Sequence, residues 1–431
     1  MPRNRIVIFH YHLNPGGVTR IIESQIETLR QHDSSADILV VCGDCLAPEE
    51  IMKRGAQVVI EPLFNYLTDE SDIKGTYVKI YQTLKSIARE SDIFHAHNLN
   101  LGKNPLVTLA MVNLCLEEGL NVVNHAHDFA EDREVNWNFY KRIIEDEFQE
   151  DLQQVLYPSV DNYQFAVLNS HDKKRLLEYG VNDSSVHLVP NPVSMNISTE
   201  ANRENSSIWD ALKISKEKIL VTYPVRVIRR KNIGEFILLT SLLGDKANWV
   251  VTQPPKNPVE IEPYKKWKDF CKENNIAVCF EAGTKVDFEE LLQISDVCIT
   301  TSIKEGFGMV FMEPWLFNTP VLGRDIPMVT SDLRNSGVQY PVLYSEFLVE
   351  IDGIEQDFSS LPDDKQKEVI LLVLNDSKYL EKVWQTNTFL NKFLNTIDKN
   401  IINQNKEIIL QQYSLEKFAE RLDGIYRRFT D

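Results

Sequence analysis

The chain has 431 residues, 43% of them hydrophobic and 25% charged, with a formal net charge of −17. That length is too great for one compact core and suits two domains, and the composition is globular rather than disordered. The acidic balance argues against nucleic acid, or an anionic membrane surface, as the main partner. No apolar run approaches the roughly 20 residues that a spanning helix needs, so no stable membrane insertion is expected. Pro2-Arg3-Asn4-Arg5 precedes only a short apolar stretch, and no small-residue cleavage site follows it, so no signal peptide is expected. Of the scattered cysteines, Cys42, Cys115, Cys279 and Cys298 read as small core residues. Cys42-Gly43-Asp44-Cys45 has no second Cys or His pair at zinc spacing, so a reducing, cytoplasmic setting is expected.

In chain order, Arg5–Phe9 alternates and reads as a first strand. His10-Tyr11-His12-Leu13-Asn14-Pro15-Gly16-Gly17 is a turn-rich loop, after which Val18, Ile21, Ile22, Gln25, Ile26 and Leu29 form a helical stripe. The loop is not G-x-G-x-x-G and carries no dinucleotide fingerprint. Ile38–Val41 and Gln57–Ile60 read as strands around a short helix over Pro48–Arg54, and Tyr77–Glu90 reads as helix. Asp92–Asn98 and Asn121–Asp128 are strands ending in polar residues, separated by a helix over Pro105–Glu118 with Pro at its start. They set His95, His97, His125 and His127 at one sheet rim. Phe165–Leu168, a helix over Asp172–Tyr179 between Ser170 and Gly180, and Val186–Val189 complete this first series.

Ser194–Ile214, poor in apolar residues, is the candidate linker. A second series follows, with strands at Ile219–Tyr223, Trp249–Thr252, Ala277–Phe280 and Asp296–Thr301 and helices at Asn232–Leu243, Pro263–Asn274 and Phe288–Ile294. Lys365–Leu374, Leu380–Phe393 and Ser414–Phe429 close the chain as helices. Two successive βα series predict an α/β protein of two Rossmann-like parallel-sheet domains facing across a cleft.

The most informative stretch is Glu305-Gly306-Phe307-Gly308-Met309-Val310-Phe311-Met312-Glu313. It follows a buried strand and leads into a helix predicted over Val310–Phe317, closed by Asn318-Thr319-Pro320. Ligands of open α/β sheets bind at such strand ends. A helix start there suits a phosphate, and the glycines let a ligand approach the backbone. Carboxylates suit sugar hydroxyls, because they accept hydrogen bonds in a fixed plane. The spacing resembles the E-x7-E motif of retaining nucleotide-sugar glycosyltransferases of family 4, which have the GT-B fold.

Four further segments resemble that family. They are the Gly16-Gly17 loop, His127-Asp128 at a strand end, Arg226 through Lys231-Asn232 with Asn where Gly is usual, and Pro190-Asn191-Pro192-Val193 with Pro for Gly. The resemblance implies an acceptor-binding domain over 1–195, a nucleotide-sugar-binding domain over 196–405 and a returning C-terminal helix over 406–431. It implies a cytoplasmic, metal-independent hexosyltransferase with no cofactor. Its donor is a nucleoside-diphosphate sugar and its acceptor a small molecule, glycan or lipid-linked glycan. By the same resemblance Arg226, Lys231 and the turn at Met309-Val310 hold the diphosphate, and Glu313 holds the ribose. Glu305 and His127, with Asp128 beside it, orient the sugar. Gly306, Phe307 and Gly308 line the donor, and Gly16 and Gly17 lie near the acceptor. Arg229 and Arg230 read as solvated charges. The clustered histidines leave a metal site open as an alternative, and an epimerase, a phosphorylase or a non-catalytic sugar-nucleotide sensor shares the expected fold.

Overall fold

The computed structural model describes residues 5–193, 203–393, 395 and 398–429. The chain forms two compact α/β units, one of Met1–Pro192 with Tyr413–Asp431 and one of Val193–Gln412. In unit 1 the strands are β1 (Ile6–His10), β2 (Ile38–Cys42), β3 (Gln57–Ile60), β4 (Ile93–His97), β5 (Asn121–Ala126), β6 (Tyr163–Val167) and β7 (Val186–Leu188). They make one sheet in the order β3-β2-β1-β4-β5-β6-β7, with parallel pairing throughout. Successive side chains feed opposite faces. Val7 and Phe9 join the core under the Ile73–Ile87 and Pro105–Glu118 helices. Ile6 and Ile8 face the Gly17–His32 helix and the Leu415–Tyr426 helix, whose Phe418, Leu422, Ile425 and Tyr426 are buried there. Both faces are covered, which is why these strands read as near-continuous apolar runs.

Unit 2 repeats the plan with β8 (Ile219–Arg226), β9 (Ala247–Gln253), β10 (Val278–Cys279), β11 (Val297–Thr300), β12 (Val321–Arg324) and β13 (Leu343–Tyr344). Their order is β10-β9-β8-β11-β12-β13. An antiparallel hairpin, β14 (Leu348–Ile351) with β15 (Ile354–Asp357), stands apart. In each sheet the order reverses beside the unit's first strand, between β1 and β4 and between β8 and β11. Those two switch points are where a parallel sheet opens a crevice at its carboxyl edge.

Several elements differ from the sequence expectations. The helix expected over Val310–Phe317 is two short pieces, a 3-10 turn at Met309–Phe311 and a helix at Glu313–Leu316. Pro314 cannot donate a backbone hydrogen bond, so no continuous helix runs through it. Glu313 is therefore the first residue of a short helix rather than a position inside a longer one. Leu380–Phe393 likewise splits, into a Ser377–Thr386 helix and a 3-10 turn at Thr388–Lys392. Of the expected linker, 194–202 lies outside the described residues. Its remainder is not structureless, since Ile208, Trp209 and Leu212 pack against Leu220, Val250 and Leu291. The Lys399–Tyr413 helix begins before the returning helix expected over 406–431 and overlaps its first residues. Its Asn405 exchanges hydrogen bonds with Gln339 at 2.7 and 2.8 Å, which keeps it in unit 2, and the chain re-enters unit 1 at Tyr413.

A buried ionic cluster ties unit 2 together. Arg324, at the end of β12, donates to both oxygens of Glu235 (3.0 and 2.5 Å) and to both oxygens of Asp357 (2.9 and 2.8 Å). Tyr344 adds a third donor to Glu235 at 2.7 Å. Glu235 is fully buried, so losing its partner strands a charge in the core. Arg324→Met should cost roughly 3–5 kcal/mol. Urea unfolding followed by tryptophan fluorescence checks this, because five of the six tryptophans lie in unit 2. An unchanged midpoint would contradict it.

Candidate functional site

In unit 2, strand β8 holds Pro224 and ends at Arg226. Tyr223 pairs with Val251 and Arg226 with Gln253, so one extra residue bulges out where Pro224 cannot donate. The bulge sets exposed Arg226 at the carboxyl edge beside the switch point. Its guanidinium has no hydrogen bond or ion pair among the described residues. The following loop is clamped from below. Lys231 O accepts from the Tyr223 hydroxyl, and Thr301 Oγ1 lies 3.1 Å from Lys231 O and 3.0 Å from Asn232 O. Asn232 takes a left-handed conformation, φ 52°. Glycine adopts that conformation freely, and Asn is among the few other residues that tolerate it, which is why Asn can stand here. Its amide donates to Glu235 at 2.9 Å, so the ionic cluster of the core also fixes this turn.

With its backbone held, Lys231 directs its ammonium onto Glu305. Lys231 Nζ donates to Glu305 Oε1, and Arg230 Nη1 donates to Oε2 at 3.1 Å. Glu305 is only 7% exposed. Burial lowers the Lys231 pKa against the opposing pull of Glu305. Arg230, expected to be a solvated charge, is thus part of the site. The reason it was missed is plain, since its partner lies 75 residues away in sequence. Arg229 engages through its backbone N–H, which donates to Glu260 at 3.1 Å.

The two glycines of the motif differ. Gly308 has φ +79°, and a Cβ there would meet Val329 Cγ1 at 2.5 Å, so backbone and packing both require glycine. Gly306 is exposed, and a Cβ there would meet no protein atom within 4 Å. Phe307 and Met309 are half-buried, Val310 is buried, and Glu313 is half-buried with its charge felt by the Cys298 thiol.

In unit 1, Gly16 is the extended N-cap of the Gly17–His32 helix. Asp128 pairs with Arg133 at 2.9 Å on the surface. The Asn98 side chain accepts from the N–H groups of His127 (2.7 Å) and Asp128 (3.0 Å), fixing the loop that carries both. Asn98 is itself left-handed, φ 65°. His10 Nδ1 sits 3.1 Å from His97 O, and His12 Nε2 3.1 Å from the Tyr66 hydroxyl.

Beneath His127 runs a buried polar chain. His97 pairs in register with His125 across β4 and β5. His97 Nδ1 lies 2.9 Å from His127 Nε2, and His97 Nε2 2.8 Å from Gln25 Oε1. The Gln25 amide donates to the Tyr426 hydroxyl at 2.9 Å, which lies 2.8 Å from His95 Nδ1, and His95 Nε2 lies 3.2 Å from His125 Nδ1. Gln25 was expected only as a member of a helical stripe, and the segment that holds Tyr426 only as a closing helix. The legible signal was one amide, Gln25, among Ile21, Ile22, Ile26 and Leu29. Ring nitrogens of His95, His97 and His125 come within 4.8 Å of one another, a spacing that could hold a metal ion. Five of those six nitrogens already have the partners just named, so the cluster fits a hydrogen-bond chain better than a ligand set.

The six cysteines are free thiols, and Cys271, which the sequence left unassigned, is buried like Cys42, Cys115 and Cys298.

Residues 206–340 match the sequence model of a family described as glycosyl transferases group 1. The chain is 28% identical over 378 residues to mannosylglucosyl-3-phosphoglycerate synthase of Petrotoga mobilis, covering 82% of this chain and 70% of that one. It is 24% identical to mannosylglucosylglycerate synthase of the same organism, covering 74% and 78%. Among solved structures, Anabaena HepE in complex with UDP and glucose superposes with a TM-score of 0.63 at 14% identity, covering 98% and 99%.

Burial holds every member of the histidine chain below the usual imidazole pKa of 6.5, with His10 and His125 at about 4. Between those values the unfolded chain binds protons that the folded one does not, so stability rises with pH across that window. At pH 5 the loss should be on the order of 2 kcal/mol for each of His10 and His125. Thermal unfolding at pH 7.5 and pH 5 should show the transition of unit 1 falling steeply. Equal midpoints would contradict the neutral, buried reading.

Proposed function

We propose that the chain is a glycosyltransferase of the GT-B type, and a retaining one, moving a sugar from a nucleoside-diphosphate sugar to an acceptor hydroxyl. The observation that carries this is Glu305 gripped by Lys231 and Arg230 where β8 and β11 diverge, inside the segment that matches the family. A diphosphate leaving group gains charge as the glycosidic bond breaks. Lys231, half-desolvated and pre-positioned, and Arg226, with its guanidinium open, stabilise that charge. One such preorganised group contributes ~3–4 kcal/mol to the transition state. Gly306 lets the donor approach the backbone through Val310, Glu313 accepts the ribose hydroxyls, and the diphosphate takes the acceptor proton. Each Glu305 oxygen keeps a second lone pair for a sugar hydroxyl while the cations hold the carboxylate in place. In unit 1, His127 offers a ring nitrogen to a sugar hydroxyl, and Gly16, Gly17 and Asp128 belong to acceptor and sugar contacts. The product named for the 28%-identical relative carries a mannosyl, a glucosyl and a 3-phosphoglycerate group. Mannose is therefore the first donor sugar to test, on UDP and on GDP, with a small acidic glucoside as acceptor. Release of nucleoside diphosphate only when acceptor is present is the expected result. Release without acceptor, or conversion of the donor alone, would overturn the transferase reading.

Three outcomes test the parts. Fixed cations replace a metal here, so activity should survive EDTA; loss that manganese or magnesium restores would contradict that. Lys231→Ala should lower kcat by about 10²–10³ with KM little changed, because its partner charge grows in the transition state; a raised KM at constant kcat would make Lys231 a ground-state binder. Glu313→Ala should weaken nucleoside diphosphate by ~1.5–3 kcal/mol, whereas Glu305→Ala should slow transfer and leave that affinity nearly unchanged. Calorimetric titration of both variants separates the roles, and equal losses would contradict them.

A further inference from the structure

The polar chain of unit 1 has a direction. A neutral imidazole carries one N–H and one bare acceptor nitrogen, so fixing one ring fixes its neighbour. What sets it is the Gln25 amide, whose NH₂ faces the Tyr426 hydroxyl and whose Oε1, which can only accept, faces His97. The Tyr426 oxygen accepts from the Gln25 NH₂ at 2.9 Å, and its hydroxyl lies 2.8 Å from His95 Nδ1. His95 Nε2 lies 3.2 Å from His125 Nδ1, and His125 Nε2 has no hydrogen-bond partner among the described residues.

That amide orientation turns Gln25 Oε1 toward His97. His97 must donate to it from Nε2 at 2.8 Å, leaving Nδ1 bare to accept from His127 Nε2–H at 2.9 Å. Neutral His127 then has no proton on Nδ1, and that nitrogen has no hydrogen-bond partner among the described residues. Turning the Gln25 amide over would invert each step beyond it and put an N–H on His127 Nδ1.

We infer that Gln25 is a positioning residue whose amide, seated by the Tyr426 hydroxyl, holds His97 and His127 as Nε2–H tautomers, so that His127 presents a bare Nδ1 acceptor to its ligand. The ligand's identity rests on the proposed function above, in which that ligand is a sugar hydroxyl; the tautomers do not. The C-terminal helix enters the design because Tyr426 lies 401 residues from Gln25 in sequence and seats its amide.

Long-range ¹H–¹⁵N correlation spectra of the ¹⁵N-histidine-labelled full chain read the tautomers directly. The wild type should show His97 and His127 as Nε2–H forms. Gln25→Met removes both hydrogen bonds at similar volume, and Tyr426→Phe removes only the hydroxyl that seats the amide. Both variants should bring up a second His127 tautomer, although Tyr426 does not touch His127. A wild-type His127 in the Nδ1–H form overturns the inference without any variant. So does an unchanged single tautomer in Tyr426→Phe, the variant least prone to misfold. Transfer kinetics separate this from the functional reading. Gln25→Met should lower kcat/KM by at least about tenfold. If the tautomers behave as stated while His127→Ala transfers sugar normally, the sugar role of His127 falls and the positioning by Gln25 stands.

Discussion

The contact on which the site of unit 2 depends is a lysine ammonium held against a carboxylate largely out of water. Lys231 and Glu305 come from loops after different strands, so their meeting needs both loop backbones fixed. Thr301, just past the end of β11, and Tyr223 in β8 grip the carbonyls around Lys231. Ile303 N–H adds a bond to Arg230 O at 2.9 Å. Behind them Asn232 turns the chain through a left-handed residue and hands it to Glu235, whose charge is answered by Arg324. A buried ion pair is weak evidence for stability, since desolvation offsets most of its attraction. Its use here is geometric, because it aims a cation at one place. Burial lowers the lysine pKa, and the opposing carboxylate pulls against that shift.

Unit 1 solves the same problem without charge. Burial lowers the pKa of each of its histidines, so the chain beneath His127 is built from hydrogen bonds between neutral groups, with Gln25 Oε1 as the one member that only accepts. Such a network is costly when partly satisfied and specific when complete. Closing it requires Tyr426, carried by a helix from the far end of the chain. That helix therefore does more than cover the sheet, as its Phe418 and Leu422 do.

The two-sheet plan was legible because parallel strands buried on both faces leave unbroken apolar runs, and because Gly-rich loops punctuate them. The broken helix after Gly308 was not read, although Pro314 stood in plain view. Its apolar neighbours gave a helical pattern that a missing N–H overrides. The short strands β12 and β13 and the hairpin escaped because two to four residues carry too little periodicity. Of the residues named from a family pattern, Lys231 and Glu305 meet in unit 2. Partners defined only by three-dimensional proximity were not so named. Arg230 looked solvated until Glu305 lay beside it, and Gln25 and Tyr426 looked like ordinary helix positions. The Asn at 232, which read as a departure from a glycine, is the residue that joins the site to the core.

The central claim is that fixed protein cations bind the diphosphate of the donor. Calorimetric titration of the wild-type chain with a nucleoside diphosphate and with the matching monophosphate, both in EDTA, tests it most directly. The account predicts that the diphosphate binds at least tenfold tighter, a difference of about 1.4 kcal/mol or more. Equal affinity for the two, or diphosphate binding that appears only when a divalent metal is added, would contradict it.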